Sequence, residues 1–337
     1  LLASSAASDV YKRQVVSYFC GRLIHRFADK KGLKRLWLIL SVVVNMAVLL
    51  VFIRSGHSSY DVTSIFTGKG AMLKLFPVWG AGVFTLHGIS YCMDIYRKEI
   101  EPEKNFLLVS QYICFFPCFY CGPILRFSDM SEQLRKPVIT SGKLAEGIKL
   151  MLIGFAEKLF LSDPMYEMWQ HIRGVSTDSL SAACAWLGII AFSFAFYYEL
   201  RAYSHIAQGI GSMLGFELPD NFDLPFMSAG FNELIKRFAC TFYSWVRDYF
   251  YRPICRNKDS VCLWALILSV FAGSVWYGYG RHTMLWAAFI CVMLGIEYLL
   301  KNILAAVPTG VRCAVMNVLF PVSYTHLRAH ETRRHLV

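Results

Sequence analysis

Apolar and polar residues in this chain fall into long blocks, not the short alternation of soluble helices and strands. Leu36 to Ile53 is almost unbroken apolar sequence, long enough to cross a bilayer as one helix. Similar blocks run roughly Leu73 to Tyr96, Phe106 to Leu125, Leu144 to Leu161, Leu180 to Leu200, Val261 to Tyr279, Met284 to Leu300 and Ile303 to Phe320. The pattern predicts an all-α polytopic membrane protein with about eight transmembrane helices in this chain.

Arg201 to Lys258 breaks the pattern. It is too polar for lipid and too aromatic for a solvated loop: Phe222, Phe226, Phe238, Trp245 and Tyr249 are interleaved with Asn221, Asp223, Lys236, Arg247 and Asp248. Irregular backbone at membrane depth survives only where protein or water covers it. Short re-entrant or interfacial helices lining a polar funnel fit this segment.

Composition agrees. Of 337 residues, 56% are hydrophobic and 17% charged, with a mean hydropathy of +0.43; soluble domains are about a quarter charged. Both ends read differently from the rest. Residues 1–14 and 322–337 resemble translated adapter sequence and are set aside from fold reasoning. This leaves a domain over 15–321, expected to be truncated at both ends. The set-aside stretches carry net +1 and +2, so the formal +11 becomes +8. Much of the excess lies in Arg22, Arg26, Lys30, Lys31, Lys34 and Arg35, just before the first apolar block. By the positive-inside rule this is a cytoplasmic loop. Basic residues abutting spans argue against nucleic acid as a partner.

Candidate chemistry follows from what lipid would not tolerate. Cys114, Cys118 and Cys121 have the C-x3-C-x2-C spacing of a radical SAM cluster loop, but within an apolar block they read as packing residues, with no metal expected. Ionisable residues within spans mark a site by default. They are His87 and Asp94 in the second block, Glu157 and Lys158 in the fourth, and Glu199, Arg201 and His205 at and just after the end of the fifth. Glu157 and Lys158 are neighbours, so on a helix they diverge, with Lys158 placed to snorkel toward an interface. Glu199 and Arg201, beside Tyr197, Tyr198 and Tyr203, read as facing a cavity.

Five segments, in order, resemble the membrane-bound O-acyltransferase family. They are "FPVWGAGVFTLHGISYCMDIYRKEIEPEKNF", "FFPCFYCGPILRFSD", "GFAEKLFLSD", "AYSHIAQGIGSMLGFELPDNFDLPF" and "SWVRDYFYRPI". The likeness covers about Phe76 to Leu300 and is greatest to the branch of the alginate O-acetyltransferase membrane subunit and the teichoic-acid D-alanyl transferase. It implies a ring of helices around a thin waist in a bacterial inner or plasma membrane. It also implies acyl transfer from a cytoplasmic thioester donor, acetyl-CoA or an acyl-carrier protein, with no tightly bound cofactor. The acceptor would be a hydroxyl of a cell-envelope polymer, reached directly or through an extracytoplasmic acyltransferase partner. The residues it points to for the substrate funnel are Arg126, Tyr198, Glu199, Tyr203, Asn221, Trp245, Arg247, Asp248 and Trp276.

Departures fall on the chemical positions. The family's Trp-His-Gly is here Trp276-Tyr277-Gly278, and its Arg-Arg-Trp-His is Lys236-Arg237-Phe238-Ala239. Tyr277 therefore stands at the invariant histidine. A phenol, with an ordinary pKa of about 10 against about 6.5 for imidazole, is a poor base. His282 lies five residues on, about 140° around and 7.5 Å along a continuous helix. It replaces the missing ring only if Gly278 and Gly280 break the helix; His87 and His205 are other candidates. Two readings remain: an acyltransferase with Tyr277 and His282 at its catalytic position, or an impaired relative serving as a binding or assembly subunit. Arg247 and Asp248, as neighbours on a helix, are expected to pair with other segments, Arg126 and Glu199 being the candidates.

Overall fold

The computed structural model describes residues 2–54, 79–119, 122–176, 179–255, 262–277 and 281–316; the side chains of 2–12, 50–54, 79–81, 263, 275–283, 301, 304 and 305 lie outside the description. Every element among the described residues is helical. In chain order they are α1 (Leu2–Arg26), α2 (Lys31–Arg54), α3 (Trp79–Arg97), α4 (Phe106–Ile113), α5 (Phe127–Arg135), α6 (Ser141–Ala156), α7 (Asp163–Arg173), α8 (Ala182–Met213), α9 (Phe231–Phe238), α10 (Cys240–Val246), α11 (Leu263–Tyr277), α12 (Arg281–Leu299) and α13 (Lys301–Ala306). Among the described residues two stretches are long and apolar enough to cross a membrane, Lys31–Leu49 and Ala182–Met213; shorter apolar ones are Phe106–Cys118, Trp264–Ser274 and Met284–Leu299.

Two predicted spans are not continuous helices. In Phe106 to Leu125 the helix stops at Ile113 and is followed by one tight turn over Phe116–Cys118, and residues 122–126 are not helical. Pro117, at the start of that turn, supplies no N–H. Ile303 to Phe320 breaks at Val307 and Pro308, with 309–316 helical again.

The chain divides into two compact units, 1–152 with 203–219 and 153–202 with 220–337. In the first, α1, α2 and α3 pack on one another along a polar seam. Asn45 donates to Ser17 Oγ (3.3 Å) and the Ser41 carbonyl (2.9 Å), and Arg13 donates to Thr85 Oγ1 (2.8 Å). Such bonds hold helices together where the apolar effect is weak. Gly88 is required at this seam, since a Cβ there would lie 2.7 Å from Ser17 Oγ. An aromatic core of Tyr91, Tyr112, Phe115 and Phe127 lies beside it and contains Cys118, buried as an apolar residue. α6 and residues 203–213 of α8 cross at Gly147 and Gly209, where a Cβ on either would sit 2.6 Å from the other's carbonyl oxygen.

In the second unit, α6 does not end cleanly. It widens into a π-helical turn over Glu157–Ser162 and continues as α7; α10 does the same over Arg247–Tyr251, followed by one helical turn, Arg252–Ile254. Each wide turn precedes a proline, Pro164 or Pro253. A proline ring inside a helix clashes with the carbonyl four residues back. Those carbonyls belong to Phe160 and Tyr249, both inside the wide turns. The prolines thus account for both departures from α geometry.

Candidate active site

The first wide turn assembles charge against α8. Lys158 Nζ lies 2.7 Å from Glu199 Oε2 and also pairs with Asp163. Glu157 pairs with Arg201 at 3.2 Å, and the Arg201 guanidinium lies 5.9 Å from the Tyr197 ring centroid. Ser162 Oγ stands 2.7 Å from Glu199 Oε2 and 3.0 Å from the Ala195 carbonyl, so its one hydrogen is shared between them. Glu199 is 1% exposed and its Oε1 has no hydrogen-bond partner among the described residues. Lys158 does not snorkel. The wide turn swings its ammonium inward to two carboxylates, which offset the cost of burying it. Glu199 and Arg201 are likewise held by ion pairs.

A layer of rings adjoins this cluster. Tyr197 meets Phe226 at 4.9 Å and Phe222 at 5.8 Å, and Phe196 stacks on Phe238 at 6.1 Å. Tyr198 stacks on Phe194 at 6.2 Å and is half-buried. Phe238 also lines a cavity of about 480 Å³ walled by α9, α10, α11 and α12. Its walls are largely apolar, from Leu234, Phe242, Val246, Leu266, Val270 and Ile290; Arg247, Glu297 and three tyrosines supply polar groups. The expected funnel is therefore greasier than its sequence suggests.

One reason is that three of the residues expected to line it, Asn221, Trp245 and Asp248, turn into the protein. Asn221 is buried and takes the Thr241 hydroxyl at 2.6 Å, while its carbonyl accepts the Cys240 N–H at 2.9 Å, tying the loop to the start of α10. Trp245 is buried against Tyr249 and Phe250, and its indole N–H has no partner among the described residues. Asp248 is buried and takes Arg247 at 2.9 Å and Arg252 at 3.0 Å. The expectation that Arg247 and Asp248, as helix neighbours, do not face each other is thus corrected. In the wide turn the long guanidinium folds back onto its own neighbour, with two donors on the two carboxylate oxygens. Glu199 is engaged by Lys158 and Ser162 instead. Of the described funnel residues in this unit, Arg247 lines the cavity.

Arg126 and Tyr203 belong to the first unit; Arg126 is the extended residue before α5 and Tyr203 lies on α8, both half-buried. His87, also there, is fully buried and stacked on Tyr112 at 5.0 Å. Its Nε2 accepts the Leu125 N–H at 3.1 Å, so the proton sits on Nδ1, 3.4 Å from the Ile113 carbonyl. Both nitrogens serve backbone groups, which removes His87 as a substitute base. His205 is half-buried on α8.

The segment around the family histidine is described only in its backbone. Tyr277 is the last residue of α11, and His282 is in the first turn of α12. The side chains of Trp276, Tyr277 and His282 lie outside the described residues. Tyr277 and His282 lie on two separate helices that pack on one another, so the offset expected for one continuous helix does not apply; residues 278–280 between them lie outside the described residues. Gly273 and Ser274 on α11 and Trp286 on α12 line the cavity. Neither wide turn was foreseen in the sequence, although the Pro164 and Pro253 signals were there.

Helices apolar enough for a bilayer, with charges paired between them, fit a membrane-bound protein. The chain belongs to the membrane-bound O-acyltransferase family, whose model matches residues 97–328. It is 29% identical over 290 residues to the "Probable alginate O-acetylase AlgI" of Pseudomonas aeruginosa, covering 84% of this chain and 55% of that protein. It is 26% identical over 315 residues to the "Peptidoglycan O-acetyltransferase" of Helicobacter pylori, covering 84% and 59%. It is 22% identical over 270 residues to the "Teichoic acid D-alanyltransferase" of Streptococcus thermophilus, covering 75% and 61%. The chain thus spans a little over half the length of these relatives.

Proposed function

We propose that this chain carries the core of an O-acyltransferase, within 15–321, that moves an acetyl or other short acyl group from a thioester to a hydroxyl of a cell-envelope polysaccharide or teichoic acid. The donor, acetyl-CoA or an acyl-carrier protein, arrives on the cytoplasmic side. The acceptor is the polymer itself or an extracytoplasmic acyltransferase partner. About eight helices span the bacterial inner or plasma membrane. Supporting this reading are the family membership, the relatives' names and above all the cavity, walled in part by α11, which ends at Tyr277, and by α12, whose first turn holds His282.

In the reaction, the acceptor oxygen attacks the thioester carbonyl carbon, a C–O bond forms, the C–S bond breaks, and the hydroxyl proton ends on the thiol. The cavity excludes water and holds the acyl chain. Tyr277 supplies a hydrogen-bond donor for the carbonyl oxygen. It is a poor proton acceptor, so transfer lacks the general-base help that is typically worth about 10²–10⁴-fold. His282 is the imidazole nearest Tyr277 in the sequence and the candidate to recover part of it. The substitution at Tyr277 also supports a second reading, a subunit that binds donor or polymer without turning over.

The test is an acyl thioester bearing a photoreactive chain, irradiated with the full chain in membranes and mapped by mass spectrometry. Labelling should fall on α9 to α12 and be suppressed by Gly273→Leu, which projects into the cavity. Labelling confined to other elements, or unaffected by that change, would refute the assignment.

A further inference from the structure

The end of α1, the start of α2 and the end of α3 gather cations, most of which make no ion pair among the described residues. Residues 22–35 and 97–99 hold eight Lys and Arg against two acidic residues, Asp29 and Glu99. Glu99 pairs with Arg97 at 3.9 Å. Arg22, Arg26, Lys30, Lys31, Arg35 and Lys98 make no ion pair among the described residues, and all six are exposed. They belong to one patch. The Lys34 ammonium sits 4.5 Å from the Tyr96 ring centroid, bringing the start of α2 onto the end of α3, and it is close enough to Lys98 to feel its charge. Lys98 takes a left-handed conformation (φ 65°) just past the end of α3, which turns the chain there.

From this patch α2 leaves with an apolar outer face. Leu36, Ile39 and Val43 are 56%, 50% and 55% exposed, and Phe19 on the adjoining α1 is 56% exposed. Exposed apolar residues at helical spacing, on a helix long enough to span, face hydrocarbon. The cations therefore lie at headgroup level at the end of that face.

We propose that this patch is a binding site for anionic phospholipid, with headgroup phosphates held by the six unpaired cations and acyl chains lying along the exposed face of α2. Both halves of the ligand are matched: negative charge against unpaired Lys and Arg, and hydrocarbon against Leu36, Ile39 and Val43. A soluble acidic partner would match only the first half. The proposal rests on the membrane placement and not on acyl transfer, so either can fail alone.

The test uses the full chain in nanodiscs of equal phosphatidylglycerol and phosphatidylcholine, with retained lipid quantified by mass spectrometry after a detergent wash. Phosphatidylglycerol should be enriched. The enrichment should vanish at high salt, as the screening length falls from about 10 Å at 0.1 M to about 3 Å at 1 M. In Lys30→Gln/Lys31→Gln/Lys98→Gln it should drop by about five-fold per cation removed. Lys143→Gln/Lys149→Gln, which removes cations already paired with Glu217 and Glu146, should leave it unchanged. Equal retention of the two lipids by the parent, or enrichment indifferent to salt, overturns the proposal even if the triple variant does not fold. Retention of an acidic soluble protein without phosphatidylglycerol preference overturns it too and assigns the patch to a protein.

Discussion

Removing Lys158 should cost more than removing the glutamate it pairs with. Lys158→Met leaves Glu199, whose side chain is 2% exposed, with only the shared Ser162 hydroxyl. Breaking a buried pair from one side costs about 3–5 kcal/mol, because a charge is left uncompensated. Glu199→Leu leaves Lys158 still paired with Asp163, which is 33% exposed and hydrated; about 1–3 kcal/mol is expected there. The double variant removes both buried charges and should be more stable than Lys158→Met alone, giving a coupling energy of about 0.5–3 kcal/mol. Unfolding of the full chain and its three variants in mixed micelles, followed by helical signal against denaturing detergent, supplies the cycle. Strictly additive single changes, or a greater loss from Glu199→Leu, would refute the reasoning that Lys158 neutralises a buried Glu199.

Other expectations rest on separate features. Gly147→Val puts a Cβ 2.6 Å from the Gly209 carbonyl oxygen and should destabilise by about 1–3 kcal/mol. Gly142→Ala, where the nearest atom is 3.9 Å away, should not lower the same unfolding midpoint. In the loop before α4, burial would raise the Glu103 carboxyl, but the Asn105 and Lys104 N–H groups and the Arg135 guanidinium outweigh it and hold the group below its ordinary value. Its contribution is complete above the unfolded carboxylate value and is lost as pH falls through the lower folded value. Glu103→Gln should therefore flatten the acid limb of a stability–pH curve, and an unchanged limb would count against it. Pro164→Ala restores an N–H and relieves the Phe160 carbonyl, so the wide turn should tighten and the Lys158–Glu199 coupling in the cycle above should shrink.

The helical class and the family were legible in the sequence because long apolar blocks and five ordered motifs leave few alternatives. Span boundaries failed where proline intervened, as at Pro117 and Pro308: hydropathy averages over the break. Within 221–248 the sequence did not show which polar side chains turn inward. Asn221, Trp245 and Asp248 looked like funnel walls because lipid would not tolerate them. Lipid is avoided equally well by turning a side chain into the protein, and composition does not distinguish the two. The Arg247–Asp248 pairing was missed for a related reason. Ideal α geometry separates neighbours, and the π-helical turn ahead of Pro253 does not keep that geometry. Lys158 and Glu199 were recognised as misplaced charges, but only the turn ahead of Pro164 brings them together.

The most direct test of the central claim is acyl transfer itself. Membranes holding the full chain, its Tyr277→His and Tyr277→Phe variants, and His282→Ala are given an isotopically labelled acyl thioester and a hydroxyl acceptor, and labelled ester is counted. The account predicts slow transfer by the parent, a rise of up to about 10²–10⁴-fold with Tyr277→His, and a fall with Tyr277→Phe. No ester from any of them, Tyr277→His included, would contradict acyl transfer by this chain. Robust transfer that survives Tyr277→Phe and is lost with His282→Ala would contradict the role given to Tyr277 and make His282 the base.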